Sequence, residues 1–307
     1  MKYLATAISL KCFSLTPFTR GVYRALGNKV GGRRRSIGVI PVYYVDRIKR
    51  TLRLTKENDI IHDGDRIIEL GTGWLHWEAL TLRLFFEVGG ILYDVWDNRQ
   101  LIALKNYFKQ LSQILNDDFG LPATDIRRAQ AVIRLILNVD SFERLYDLLG
   151  FEYVVEPSGS LRRFADDAFH LVVSAGVLEH VSKNALPTLI AETNRILVPA
   201  GWAIHSIDTS DHLAHYDTAV SGKKYLGFSE WKWKLLFENK VQYINRLQRN
   251  QWLSLFEENG FVVMEEECRR INIDSIKCAK RYRTMERDDL ACTVVRLALR
   301  KQLKSGQ

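Results

Sequence analysis

Nothing in this chain approaches the roughly 20 consecutive apolar residues that a helix needs to cross a bilayer, so no membrane-spanning segment is expected. The amino-terminal stretch MKYLATAISLKCFSL is interrupted by Lys11 and lacks a convincing cleavage site, which argues against a secretory leader. A cytoplasmic protein is the expectation. Cysteine is scarce: Cys12, Cys268, Cys278 and Cys292 form no CxxC pair, and the seven histidines offer no partner spacing for a structural zinc. Reduced, half-buried thiols are therefore expected. Repeats and low-complexity tracts are missing as well.

Negative charge is almost absent from the first 57 residues, which hold 13 Lys/Arg against two Asp/Glu, while the rest of the chain holds 31 against 34. The net charge of +8 thus belongs to an extension. We divide the chain into a basic, helical extension over 1–57 and a main domain over 58–307, whose composition of 47% hydrophobic residues suffices for a full core. The arm includes GGRRR at 31–35 and interleaves Phe13, Phe18, Tyr23, Tyr43 and Tyr44 with cations. Three readings of it stay open: a peripheral contact with anionic lipid at the inner membrane face, a nucleic-acid contact, or docking on the main domain with its charges solvated.

Beyond the arm, short apolar runs alternate with helical stretches, the pattern of an α/β fold with a mainly parallel sheet. The expected strands of one doubly wound sheet are RIIEL (66–70), ILYDVW (91–96), FEYVV (151–155), FHLVVSA (169–175), GWAIHSI (201–207), FVVMEEE (261–267) and CTVVRLALR (292–300). Residues 74–87 and 184–196 read as crossover helices. Two longer excursions read as insertions. The first, about 99–149, has apolar positions at helical spacing and should hold two or three helices or a small cap. The second, about 208–259, is rich in His, Trp and other aromatics and is the expected substrate-facing element.

The first strand runs into Gly71-Thr72-Gly73, where glycine permits positive φ and lets a ligand approach the backbone. A dinucleotide fingerprint is missing: His76 stands where GxGxxG needs its third glycine, and Trp74 would crowd a pyrophosphate. No GK[ST] follows, which excludes a P-loop. Adenosine without phosphates fits better. In such a sheet ligands bind outside the carboxyl ends of the strands, where an acidic residue after the second strand can accept ribose hydroxyls. YDVWDN offers Asp94 within the strand and Asp97 at its tip, with Asp97 favoured.

The succession ELGTG, an acidic strand end, DDAFHLVVSAGVLEHV and LVPAGW resembles the class I S-adenosylmethionine-dependent methyltransferases, especially the small-molecule group that includes the ubiquinone and menaquinone pathway enzymes. The resemblance covers residues from 60 to near 300. It implies a Rossmann-like seven-stranded sheet of order 3-2-1-4-5-7-6, last strand antiparallel, with S-adenosylmethionine as cofactor. Carried over by position, it implies that Glu69, Gly71, Thr72 and Gly73 line the methionine and ribose end and that Asp97 holds the ribose. Ser158, in the loop Pro157 to Ser160, would flank adenine, and Ser174 and Ala175 would close the floor. Trp74 is read as an aromatic wall facing the sulfonium, and Trp77 as packing of the first helix on the sheet.

Methyl transfer from a sulfonium is an in-line displacement, in which the protein aligns the partners, excludes water and removes the proton of a hydroxyl acceptor. Histidines are the candidate bases. His180 follows the fourth strand, where some quinone-pathway O-methyltransferases carry a metal-binding ExxEH run. Here Gly176 replaces the first carboxylate and no metal is expected; His180 serves either in catalysis or in orienting its loop. The segment HSIDTSDHLAHYD (205–217) supplies the first choice of base, His212 oriented by Asp211, against loop-fixing hydrogen bonds or a metal site. Tyr225, Phe228, Trp231 and Trp233 form either an apolar wall for the acceptor or the core of an inserted helix. The expected activity is methyl transfer to a small-molecule acceptor, O-methylation favoured. The alternatives are a nucleic-acid methylase that uses the basic arm, disfavoured because SAGVL stands in place of (N/D)PP(Y/F), and a non-catalytic partner-binding fold.

Overall fold

A computed structural model describes residues 2–303. Three helices open the chain, α1 (Lys2–Ser14), α2 (Pro17–Ile37) and α3 (Val42–Glu57). β1 (Arg66–Leu70) leads through α4 (Trp77–Arg83) to β2 (Gly89–Asp94). The first excursion holds three helices, α5 (Leu101–Asp118), α6 (Ala123–Asn138) and α7 (Phe142–Leu149), before β3 (Phe151–Val155). There follow β4 (Phe169–Ala175), α8 (Leu186–Ile196) and β5 (Leu197–Asp208), then α9 (Glu230–Leu236), α10 (Arg249–Glu258), β6 (Phe261–Arg270), α11 (Arg287–Ala291) and β7 (Cys292–Lys301).

The strands form one mixed sheet of order β3-β2-β1-β4-β5-β7-β6, the order that the resemblance implied. β1 pairs in parallel with both β2 and β4, and β2 with β3. β7 runs against its neighbours. The Thr209 N–H donates to the Thr293 carbonyl while Arg300 reaches the Ala200 carbonyl, so β5 is met backwards as β7 advances. On its other side the Thr293 hydroxyl donates to the Arg269 carbonyl and the Ile271 N–H to the Ala291 carbonyl. β2 stops at Asp94, short of the expected Trp96, because the Asp94 carboxylate accepts the Val95 N–H at 2.7 Å and turns the chain.

Two compact units divide the described residues. One takes the chain up to Leu26, Ala175–Ala191 and His205–Leu299; the other takes Gly27–Ser174, Glu192–Ile204 and the residues from Arg300. In the second unit, Ile67 and Ile68 of β1 are wholly buried, and α3 turns Val45, Ile48 and Leu52 inward. Trp77 is buried there, edge-on to Tyr44 with centroids 5.2 Å apart and 5.2 Å from Phe108, which is the packing role expected of it. Trp77→Ala should cost about 3–5 kcal/mol of stability, read as a lower urea midpoint.

In the first unit, α1 lays Tyr3, Ala7 and Leu10, a helical stripe, into a cluster with Leu213, Tyr225, Leu226, Trp233, Phe237 and Tyr282. Tyr225 and Trp233 are therefore core of the second excursion, whereas Trp231 is exposed. Cys268 on β6 and Cys292 on β7 are joined as a disulfide, with Cys12 and Cys278 free, which corrects the expectation of four reduced thiols. Only the pairing of β6 with β7 brings these two together across 24 residues of sequence.

Candidate cofactor cradle and histidine–carboxylate cluster

β1 ends at Leu70, and the chain turns at once through Gly71 (φ 65°) and Gly73 (φ 59°), both in the left-handed region that favours glycine. The Thr72 N–H donates to the Tyr93 carbonyl at 3.0 Å and the Gly73 N–H to Asp94 Oδ2 at 2.8 Å, which ties the loop to the end of β2. The Thr72 hydroxyl faces His76 Nδ1 at 2.8 Å, and His76 Nε2 meets the Tyr146 hydroxyl at 2.9 Å. Burial, with the Arg99 cation nearby, pushes the His76 pKa down to about 3. The place of a third glycine is thus taken by a neutral imidazole that braces the loop. A Cβ added at Gly73 would meet nothing nearer than the Gly71 carbonyl at 3.7 Å, so the space beside this backbone is open.

Glu69 serves the same loop from behind. Its buried carboxylate accepts the Ala79 N–H at 3.0 Å and the Glu78 N–H at 3.4 Å, holding the start of α4. Burial and the Glu78 charge push its pKa up to about 8. Ser158 lies in a tight exposed turn, its N–H and hydroxyl both donating to Glu156 Oε1. Ser174 is buried near the end of β4, and Ala175 closes that strand.

Two expectations meet a different geometry. Trp74, read as the wall facing a sulfonium, already has a cation on its ring: the Arg35 guanidinium lies 3.7 Å from the centroid, and the indole N–H donates to Asn28 Oδ1 at 3.1 Å. Asp97 points outward into an ion pair with Arg99 at 2.8 Å, and that arginine also reaches Glu143 at 3.0 Å and lies over the Tyr153 ring. The hydrogen bond from Arg99 holds the Asp97 carboxyl below its usual range. The acid that touches the glycine loop is Asp94, 5% exposed, with burial raising its pKa. Arg99 gave no signal in the sequence, since Glu143 and Tyr153 reach it from two distant segments.

The other unit gathers a cluster after β4 and β5. Glu179, in the 3₁₀ turn Leu178–His180, is buried; Oε1 accepts the Asp208 N–H at 3.2 Å, and Oε2 has no hydrogen-bond partner among the described residues. His180 Nδ1 lies 2.7 Å from the Tyr243 carbonyl, which can only accept, so Nδ1 carries the proton and Nε2 a lone pair. His212 opens the 3₁₀ turn His212–Tyr216, and its Nε2 lies 3.5 Å from Asp208 Oδ2, an ion-pair separation rather than a short hydrogen bond. Its ring packs edge-on to His180, with centroids 5.0 Å apart, and stacks on His215.

The electrostatics follow from this crowding. Burial and the Asp208 charge push Glu179 up to about 8, while the crowding of protein around His180, with His212 beside it, lowers the pKa of that ring although part of it stays exposed. For His212, burial lowers the pKa but the Asp208 carboxylate outweighs it, so the net shift is upward. Asp211, expected to orient His212, is committed elsewhere. It is fully buried, its Oδ2 accepts the Tyr3 hydroxyl at 2.6 Å, and its Oδ1 accepts the Leu213 N–H at 3.1 Å. Asp211 caps the turn and spends its carboxylate on Leu213 and Tyr3, whereas Asp208, at the end of β5, is the carboxylate that meets His212. One ligand atom each from Glu179, His180 and His212 lies within 4.8 Å of the others. The Glu179-His180 pair was visible in the sequence; its closure by His212 from another strand end was not.

Over residues 41–266 the chain matches the methyltransferase-domain family, and it belongs to that family. With its sheet order and its glycine loop it is a class I S-adenosylmethionine-dependent methyltransferase, and S-adenosylmethionine is its cofactor. No curated protein matches it significantly. Solved structures similar to it include a SAM-dependent methyltransferase from Methanosarcina mazei (15% identity, TM-score 0.45, covering 81% of this chain and 98% of that one). Another is phosphoethanolamine N-methyltransferase 2 of Haemonchus contortus in complex with S-adenosyl-L-methionine (15% identity, TM-score 0.45, covering 82% of this chain and 52% of that one). Among the described residues no helix is long and apolar enough to cross a membrane.

Proposed function

We propose that this methyltransferase methylates a hydroxyl group of a small-molecule acceptor, with His212 as the base. The observation that carries the reading is the His212–Asp208 pair. With Nε2 turned to Asp208, the other ring nitrogen is left to take a proton, and the carboxylate stabilises the imidazolium that forms. The cofactor supplies an activated methyl carbon. The acceptor oxygen forms the new bond to carbon as the carbon–sulfur bond breaks, its proton passes to His212, and the sulfonium becomes a neutral thioether. The Gly71 to Gly73 backbone would hold the cofactor, with Asp94 rather than Asp97 at the ribose. Asp94→Ala is expected to weaken S-adenosylmethionine binding by about 1.5–3 kcal/mol in calorimetric titration, and Asp97→Ala far less. The reverse order would return the ribose to Asp97. Screening phenolic, alcoholic and amine acceptors with radiolabelled cofactor tests the reaction class; methylation of amines alone would overturn it.

A second reading rests on a Glu179 carboxylate gathered with two imidazoles, one of its oxygens having no hydrogen-bond partner among the described residues. A divalent cation held by Glu179, His180 and His212 would lower the pKa of a bound hydroxyl and make the base unnecessary. Turnover that survives exhaustive chelation favours the base. Turnover abolished by chelation and restored by Mg²⁺, Mn²⁺ or Zn²⁺ favours the cation.

A further inference from the structure

Helix α2 is 21 residues long and buries none of them. One side of it is held: Asn28, Gly32 and Arg35, at helical spacing, meet Trp74, Asn98 and Gln100. Another side carries Phe18, Val22, Leu26 and Val30 at i, i+4 intervals and then Ile37, with Lys29, Arg33 and Arg34 interleaved. Phe18 is 78% exposed and Ile37 81%, with Leu26 and Val30 about half exposed, so this face leaves much apolar surface in solvent. Just outside the helix ends, Leu15 and Val39 are 77% and 81% exposed. From Lys2 to Val45 there are eight Lys/Arg and no acidic residue.

We propose that this face of α2 lies on the surface of an anionic lipid bilayer, with Phe18, Leu26, Val30 and Ile37 among the acyl chains and Lys29, Arg33 and Arg34 at the headgroup phosphates. A stripe that mixes exposed apolar side chains with cations suits an interface that is oily below and negatively charged above. Nucleic acid would use the cations, but beyond the single ring of Phe18 it has no place for Leu26, Val30 and Ile37, which offer no face for a base to stack on. The helix is too short of apolar residues to span, so the contact is interfacial. The proposal holds whichever acceptor is methylated.

The test is co-sedimentation of the whole chain with vesicles of phosphatidylcholine, alone or mixed equally with phosphatidylglycerol. The chain should pellet with the mixed vesicles and stay in solution with the neutral ones, and added salt should weaken binding. Replacing Phe18, Leu26 and Ile37 together by Ser should lower the partition about tenfold or more, because inserted methylene groups are lost. Arg33→Glu with Arg34→Glu should do the same on mixed vesicles. All five side chains are outside the cradle and the histidine cluster, so thermal unfolding and S-adenosylmethionine affinity should match the wild type. Failure to bind mixed vesicles overturns the proposal. So does wild-type binding by the triple Ser variant, or a single-stranded RNA that displaces the vesicles and depends only on the arginines.

Discussion

Gly73→Arg should yield a folded chain that has lost S-adenosylmethionine, with its dissociation constant raised about a hundredfold or more, equivalent to about 2.7 kcal/mol. The left-handed φ of 59° makes any side chain there cost about 1–2 kcal/mol, which the fold can absorb. The larger effect is local: the open space beside this backbone fills with a side chain and a charge, where a sulfonium cofactor needs neither. Calorimetric titration measures the loss, and circular dichroism checks that the sheet persists. Undiminished affinity in a folded variant would remove the glycine loop from the binding site altogether.

On the proposed mechanism His212→Ala should lower kcat by about 10²–10⁴ while the cofactor dissociation constant stays within error, since the ring would act on the acceptor proton and not on the cofactor. The pH profile separates this from a merely structural loss. Asp208 raises the His212 pKa, so the acidic limb of kcat should lie above the usual histidine value of about 6.5. Asp208→Asn should move that limb to lower pH. Stability runs with the opposite sign: a folded pKa above the unfolded one stabilises the chain below about pH 6.5, and that contribution fades as pH rises through the folded value. Activity should therefore grow over the same window in which this contribution to stability fades. A kcat profile unchanged by Asp208→Asn would dismiss the pair as the base.

Much of this was legible beforehand, and the reasons differ by element. Short, nearly continuous apolar runs such as RIIEL and FHLVVSA fall on β1 and β4 at the expected residues, because buried parallel strands read as compact apolar blocks. The end of β2 was misjudged because Val95 and Trp96 continue the apolar pattern, and a side-chain carboxylate, which pattern does not report, makes the turn. The tight turn after β1 was visible as GTG, since glycine spacing is a local signal. Trp74 was misread for the opposite reason: its partner Arg35 comes from an arm whose docking no periodicity reveals. Asp211 was the expected partner of His212, and only the folded geometry shows that Asp208 is the carboxylate that reaches the ring.

The bond between Tyr3 and Asp211 joins positions 208 residues apart, and the neighbouring bond from the Tyr3 N–H to Asp217 spans 214. On the ribosome, the first helix therefore emerges long before the segment that receives it. Its apolar stripe of Tyr3, Ala7 and Leu10 must stay uncovered through most of synthesis. Contacts of such separation close late, after the entropy of a long loop has been lost. The turn that carries His212 is thus secured among the last events of folding, and a nascent chain stalled before residue 211 would present an unsheltered greasy helix to chaperones.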